Sequence, residues 1–449
     1  MISAYRNRKA ARINADKIKK SSRSVDLEVE VAVPEHFRCP ISLELMKDPV
    51  TLSTGITYDR ESVEKWIYED GKHTCPVTGT ALTTLESVAN HTIRKMIQDW
   101  CVQNKSYGID RIPTPRAPTT SYQVSEILSK IVATRMKGDG EGVMELVVKI
   151  KDLVKESERN KRCIVSNGSS RVLSETFELF SCHENENLQV LEEILSGLTL
   201  MLPFDQETRS YIGSNRSLRS IVSILKHGGL SGRRNAVLAL KDILSSDRIT
   251  LLKFVEIKGS IEVLAKLIKE PICPTTTNAS LLAIYHLVTP SSSLDQKKTL
   301  ISRFLEMGLI EKLVEMLVDC PRSVCEKALG VLEGLCNVDE GLEKAYGNAL
   351  TVPVLVKKLL RVSDMATEFS VSILWSLSKY EKSMGYEEEN MAMEALQVGA
   401  FQKLLLLLQV GSSLKTKEKA GDLLKGWNSH RGRVECIETM DFKHLKRPF

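Results

Sequence analysis

The sequence predicts a mainly α-helical chain in which a small α+β module precedes a long α-solenoid. Three observations predict it. First, short apolar segments recur, beginning at Ile221, Leu264, Leu313, Leu355 and Leu404, at spacings of 43, 49, 42 and 49 residues. Each is followed by a second helical segment starting on a small residue, at Ala236, Ala279, Ala328, Ser370 and Ala420, with nearly the same spacings. Second, 42% of the 449 residues are hydrophobic but only 5% are aromatic, an aliphatic, helix-leaning composition. Third, residues 34–104 read as a compact unit of another kind, in the order loop, hairpin, helix, loop, helix.

In chain order, residues 1–33 form a basic arm. Met1 to Arg23 hold eight Lys or Arg and one acid, so most of the net charge of +5 sits there and the remainder is close to neutral. The arm has no apolar stretch of signal-peptide type. A solvated tail, a nuclear-import signal and attraction to an anionic surface are all compatible with its charge. No apolar run approaches the roughly 18 residues that span a bilayer, and ten cysteines without a secretory signal suggest a reducing compartment. The expectation is a soluble, intracellular protein that does not bind nucleic acid.

Residues 34–104 form the compact module. Asp48-Pro49-Val50-Thr51-Leu52 reads as a turn into a strand, Gly55 as a hairpin position and Asp59 as a helix N-cap. Val63, Trp66 and Ile67 lie on one face of the next helix, and Ile93, Ile97 and Trp100 on one face of a second. The Cys-Pro pairs at 39–40 and 75–76 suggest half of a zinc ring. Two tetrahedral zinc ions need about eight Cys or His ligands, however, and the region offers only His36, Cys39, His73, Cys75, His91 and Cys101. The predicted substitute for metal is polar bracing of the two loops by Ser42, Glu44, Asp48, Thr57, Asp59 and Arg60. Cys39 and Cys75, set among apolar residues, are poor candidates for a nucleophile.

Residues 105–122, with three prolines among Ser and Thr, read as a linker. The array occupies 123–430 and a tail follows at 431–449. A period of 42 to 49 residues fits an armadillo or HEAT solenoid, with a weaker first copy at Leu173. Segments 289–299 and 379–394 read as insertions. Trp375 reads as core, with exposure in a groove as the alternative, and His286 as a core histidine. Trp375 and Trp427 form no repeated Trp-x3-Asn ladder, which argues against an importin-like role.

"HFRCPISLELMKDPVTLSTGITYDRESVEKWI", "CPVTG" and "NHTIRKMIQDWC" together resemble the U-box of plant ubiquitin ligases that carry an armadillo-repeat carboxy-terminal half. The resemblance implies a RING-like fold held without metal or cofactor, and a RING-type (U-box) E3 ubiquitin transferase. It implies that Ile41, Trp66 and Pro76 bind a ubiquitin-charged conjugating enzyme (E2), and that Cys39 and Cys75 are buried loop residues. Protein substrates would bind the armadillo repeats, with ubiquitin passing directly to their lysines and no covalent intermediate on this chain. It further points to stress and immune signalling and leaves a homodimer open; the expected location is the cytoplasm, with the nucleus as an additional site. Many U-boxes carry a basic residue that primes the thioester at the position of Gly79. The alternative function is a non-catalytic armadillo scaffold.

Overall fold

The computed structural model describes residues 32–114, 118–183, 187–289, 294–385 and 390–433. Nearly all of the basic arm, and the tail from Val434, lie outside the described residues. The chain divides into two units, Met1–Pro118 and Thr119–Phe449.

In the first unit, β1 (Pro49–Thr51) pairs antiparallel with both β2 (Thr57–Asp59) and β3 (Val88–Ala89), in the order β2-β1-β3. Gly55 makes the β1–β2 hairpin at φ +78°, a conformation that costs glycine little. The short β3 has no recognisable signal in the sequence. Helix α1 (Arg60–Glu64) continues as one wider π turn to Glu69, and α2 (His91–Gln103) closes the unit. Met46, Val50, Tyr58, Val63, Ile67 and Ile97 form its buried centre, each at most 1% exposed. The boundary differs from the expected one. Ile112 is buried in this core and Ile109 packs on it, so the first part of the proline-rich segment belongs to the module. Apolar residues every few positions gave this stretch a surface to bury, despite its linker composition.

The second unit opens with α3 (Ser121–Met136) and α4 (Gly140–Glu156). Six triplets follow: α5 (Glu158–Ser166), α6 (Ser169–Phe180), α7 (Leu188–Thr199); α8 (Gln206–Ile212), α9 (Asn215–His227), α10 (Leu230–Leu244); α11 (Arg248–Glu256), α12 (Ser260–Lys269), α13 (Pro274–Val288); α14 (Leu294–Glu306), α15 (Leu309–Val318), α16 (Arg322–Leu335); α17 (Asp339–Tyr346), α18 (Thr351–Lys358), α19 (Asp364–Ser383); and α20 (Asn390–Gln397), α21 (Ala400–Gln409), α22 (Leu414–Trp427). The left-handed glycines at 259, 308 and 399 set the N-termini of α12, α15 and α21. Third helices stack in sequence, α7 on α10 and so on to α22, and one apolar cluster runs from Val124 to Trp427.

Three expectations need correction here. The segment 289–299 already starts α14 at Leu294, and within 379–394 α19 runs through Ser383 while α20 begins at Asn390; the rest of each lies partly outside the described residues. His286 is half-buried and lines a cavity of about 340 Å³ with Leu251, Leu287 and Arg303 rather than sitting in the core, and burial lowers its pKa. Trp375 is also only partly buried. Among the described residues no single helix is long and apolar enough to cross a membrane.

Candidate functional site: two matched loops and a helix

The two Cys-Pro loops have the same backbone. In the first, the Cys39 N–H donates to Glu44 O and the Leu43 N–H to Cys39 O, both at 2.8 Å. In the second, the Cys75 N–H donates to Thr80 O and the Gly79 N–H to Cys75 O, again at 2.8 Å. Isolated bridges Arg38–Leu45 and Thr74–Ala81 close each loop at the same place. Leu43 and Gly79 occupy equivalent positions in the left-handed region, at φ +63° and +71°. One loop geometry is thus built twice.

Neighbouring residues of β2 hold the two sulfurs. The Asp59 N–H donates to Cys39 Sγ at 3.3 Å, and Tyr58 Oη lies 3.0 Å from Cys75 Sγ, which also accepts from Thr54 Oγ1 at 3.4 Å. Each sulfur is thus tied to the sheet by hydrogen bonds. Among the described residues no group of three or more His, Cys, Asp or Glu is placed to hold a metal ion. Burial pushes the Cys75 thiol up, but hydroxyl donors from Thr54, Thr78 and Tyr58 outweigh it and bring the pKa down to about 6. The surroundings of Cys75 are therefore more polar than its apolar sequence neighbours suggested, although the residue is only 1% exposed. A thiol with a depressed folded-state pKa contributes stability above its unfolded pKa and loses it as pH falls through the folded value. The module should therefore gain stability as pH rises from about 6 towards about 9. Cys75→Ser, which keeps an acceptor but does not ionise there, should flatten that rise in denaturant titrations.

Around the sulfurs lies a polar brace. Asp59 Oδ1 accepts from the backbone N–H groups of Lys47 and Asp48, both at 2.8 Å, and its burial raises its pKa despite these donors. It starts α1 without capping it by its side chain; its carboxylate is taken by the first loop instead. Arg60 Nε pairs with Asp48 Oδ2 at 2.7 Å and Arg60 also donates to Ser87 at 3.2 Å. Arg94 lies 3.6 Å from the other Asp48 oxygen. Thr51 and Thr57 hydroxyls face each other across the hairpin at 3.0 Å, and Asn90 Nδ2 donates to both. Asn90 Oδ1 meanwhile caps α2 through the Ile93 N–H.

Of the residues expected to brace the loops, Asp48, Thr57, Asp59 and Arg60 meet there. Ser42 and Glu44 do not: both are exposed, Ser42 accepts only a local 3.4 Å bond, and Glu44 contributes its backbone carbonyl. Thr54, Tyr58, Asn90 and Arg94 were missed, because their roles depend on long-range register. Asn90→Ala removes a cap and the clasp on the hairpin together. It should cost about 1–2 kcal/mol, read as faster amide exchange in α2.

The outer surface of this construction carries several apolar side chains. Ile41, Trp66 and Pro76 are each partly exposed, while Leu43 is 60% and Val77 56% exposed in the two loops. The Trp66 indole Nε1–H donates to Thr74 O at 2.8 Å, and the Lys72 ammonium lies 3.8 Å from its ring centroid. Trp66 therefore ties α1 to the second loop and leaves part of its ring open to solvent. Leu43, an aliphatic residue in left-handed backbone and largely solvated, was not singled out from the sequence. Its position beside Ile41 was the available signal.

A model of the U-box domain matches residues 33–106, and one of the plant U-box protein ARM repeat region matches residues 123–447. The chain belongs to the plant U-box proteins with an armadillo-repeat region. It is 44% identical to U-box domain-containing protein 21 of Arabidopsis thaliana, over 94% of each chain. It is 31% identical to E3 ubiquitin-protein ligase PUB23 of the same plant, over 89% of this chain and 93% of that one. Among solved structures, a designed armadillo repeat protein aligns with 56% of this chain and 99% of its own, at TM-score 0.43 and 18% identity. The paired loops and α1 lie within the U-box match, and the helix triplets are armadillo repeats.

On the armadillo side, polar ties link successive third helices. Ser372 of α19 donates to Glu333 of α16 at 2.8 Å, and Lys419 of α22 donates to Ser372 at 2.7 Å. Trp375 Nε1–H donates to Asp422 at 3.3 Å, with Lys379 3.5 Å and Lys419 5.2 Å from its ring centroid. The stacked third helices therefore present a mixed-charge face with one partly open aromatic.

Proposed function

We propose that this protein is an E3 ubiquitin ligase that seats a ubiquitin-charged E2 on Ile41, Leu43, Trp66, Pro76 and Val77, and a protein substrate on the third-helix face of its armadillo repeats. The observation that carries the reading is the pair of matched loops with Trp66 fixed between α1 and the second loop, because an aromatic anchor flanked by exposed apolar residues is what a partner's loops dock against. No side chain of this chain need react. A substrate lysine attacks the E2–ubiquitin thioester, its amine displaces the E2 cysteine thiolate, and this chain contributes proximity and orientation. Cys75, although its pKa is lowered, is buried and its sulfur is already held by hydroxyls.

The partly exposed Trp375 and its lysines support acidic or aromatic substrate segments on the third-helix face. A chain ending at Pro118 should still discharge charged E2, while modification of cellular substrates should require the armadillo unit. This is tested by comparing both chains in a lysate with tagged ubiquitin; substrate modification surviving the deletion would remove the repeats from recognition.

A further inference from the structure

The last described armadillo repeat leaves bare a face that every earlier repeat buries. Aligning the second helices on Leu173, Ile221, Leu264, Leu313, Leu355 and Leu404, the next position holds Ser174, Val222, Ala265, Val314 and Val356 in the first five repeats, each at most 2% exposed. Three residues further on come Phe177, Leu225, Ile268, Leu317 and Leu359, again at most 2% exposed. In α21 the same two positions are Leu405 and Leu408, and they are 41% and 36% exposed, with Leu406 at 49% between them. A terminal repeat ordinarily turns a polar face outward. Here the helix carries five consecutive leucines.

Elsewhere the second helix is packed by the chain that follows the third helix, as the next first helix and, from α6 to α15, as the next second helix too. In all five earlier repeats that chain forms the next first helix and packs on the second helix just completed: α8 on α6, α11 on α9, α14 on α12, α17 on α15 and α20 on α18. After α22 a 3-10 turn at Asn428–Arg433 packs against α20, the neighbour of α21. The chain then continues for sixteen residues, 434–449, with Val434, Ile437, Met440 and Leu445 among charged neighbours. The armadillo-region model also runs through this stretch to residue 447.

We propose that residues 434–449 are the occupant of the bare face, lying over Leu405 and Leu408 as the cap of the solenoid. The topological position of the segment, its apolar content and its inclusion in the repeat family agree on one occupant. The exposed leucines are then an internal interface, distinct from the substrate-facing third helices.

The test compares amide exchange in the full chain with the same chain ended after residue 433, following α21 and using α15 as an internal control. The expected result is at least tenfold faster exchange in α21 on truncation, unchanged exchange in α15, and recovery of α21 on adding a synthetic 434–449 peptide. Leu405→Glu in the full chain should reproduce the truncation, and should add little to a chain already truncated. Exchange in α21 that is the same with and without the tail overturns the proposal. So does protection of α21 that depends on protein concentration, with dimers in light scattering, because a second copy would then be the cover.

Discussion

Replacing Trp66 by alanine is expected to abolish ubiquitin discharge from charged E2, by a factor of about 100 or more, while the armadillo unit stays folded. Two losses combine. The partly exposed ring is removed from the centre of the apolar surface, where truncating an aromatic anchor commonly costs 2 kcal/mol or more of binding. The bond from its indole N–H to Thr74 O at 2.8 Å is lost as well, freeing the second loop. Because the ring is only partly buried, the stability loss should fall below the 3–5 kcal/mol typical of a core aromatic, at about 2 kcal/mol. The two contributions separate experimentally. Trp66→Phe keeps a ring but no donor, and Pro76→Ala trims the surface while leaving the indole bond in place. Melting of the U-box and E2 affinity, measured on all three variants, should therefore diverge. A Trp66→Ala variant that melts normally and discharges normally would remove Trp66 from the site.

Gly79→Arg is expected to speed ubiquitin discharge about tenfold without raising E2 affinity. The U-box resemblance aligns Gly79 with a position where many U-boxes carry a basic side chain that donates to both ubiquitin and E2; a charge-assisted hydrogen bond is worth about 1.5–3 kcal/mol, enough for a tenfold change when formed only in the reactive state. The backbone sets the cost. Gly79 has φ +71°, where an L-residue is disfavoured by about 1–2 kcal/mol. Two observations show that the loop can bear it. A Cβ built on Gly79 meets nothing within 4 Å, and the matched loop already holds Leu43 at φ +63°. The variant should fold with a small loss of stability. Single-turnover discharge to free lysine, beside an affinity measurement, checks both parts; unchanged discharge in a folded variant refutes the idea.

Much of this was legible because it is local or periodic. The repeat spacing survives as the second and third helices, and the glycines at 259, 308 and 399 mark helix starts through their left-handed backbone. The shortage of zinc ligands pointed to polar bracing, and Asp48, Asp59 and Arg60 supply it. What the sequence concealed depends on contacts between distant segments. Asp59 looks like an N-cap by its position, yet its carboxylate serves the backbone of Lys47 and Asp48. Asn90 sits 39 residues from Thr51, and nothing local links it to the hairpin it clasps. The bare face at Leu405 is equally hidden, since five leucines in a helix read as core until the missing neighbour is seen.

The most direct test of the account is single-turnover discharge of a ubiquitin-charged E2 to free lysine, with the full chain, with Ile41→Ala and with Pro76→Ala. The account predicts that the native chain accelerates discharge well above the E2 alone and that each substitution removes most of that acceleration while the U-box melts normally. A folded native chain that leaves the rate at the E2's own level, across a panel of E2 enzymes active with another ligase, would contradict it.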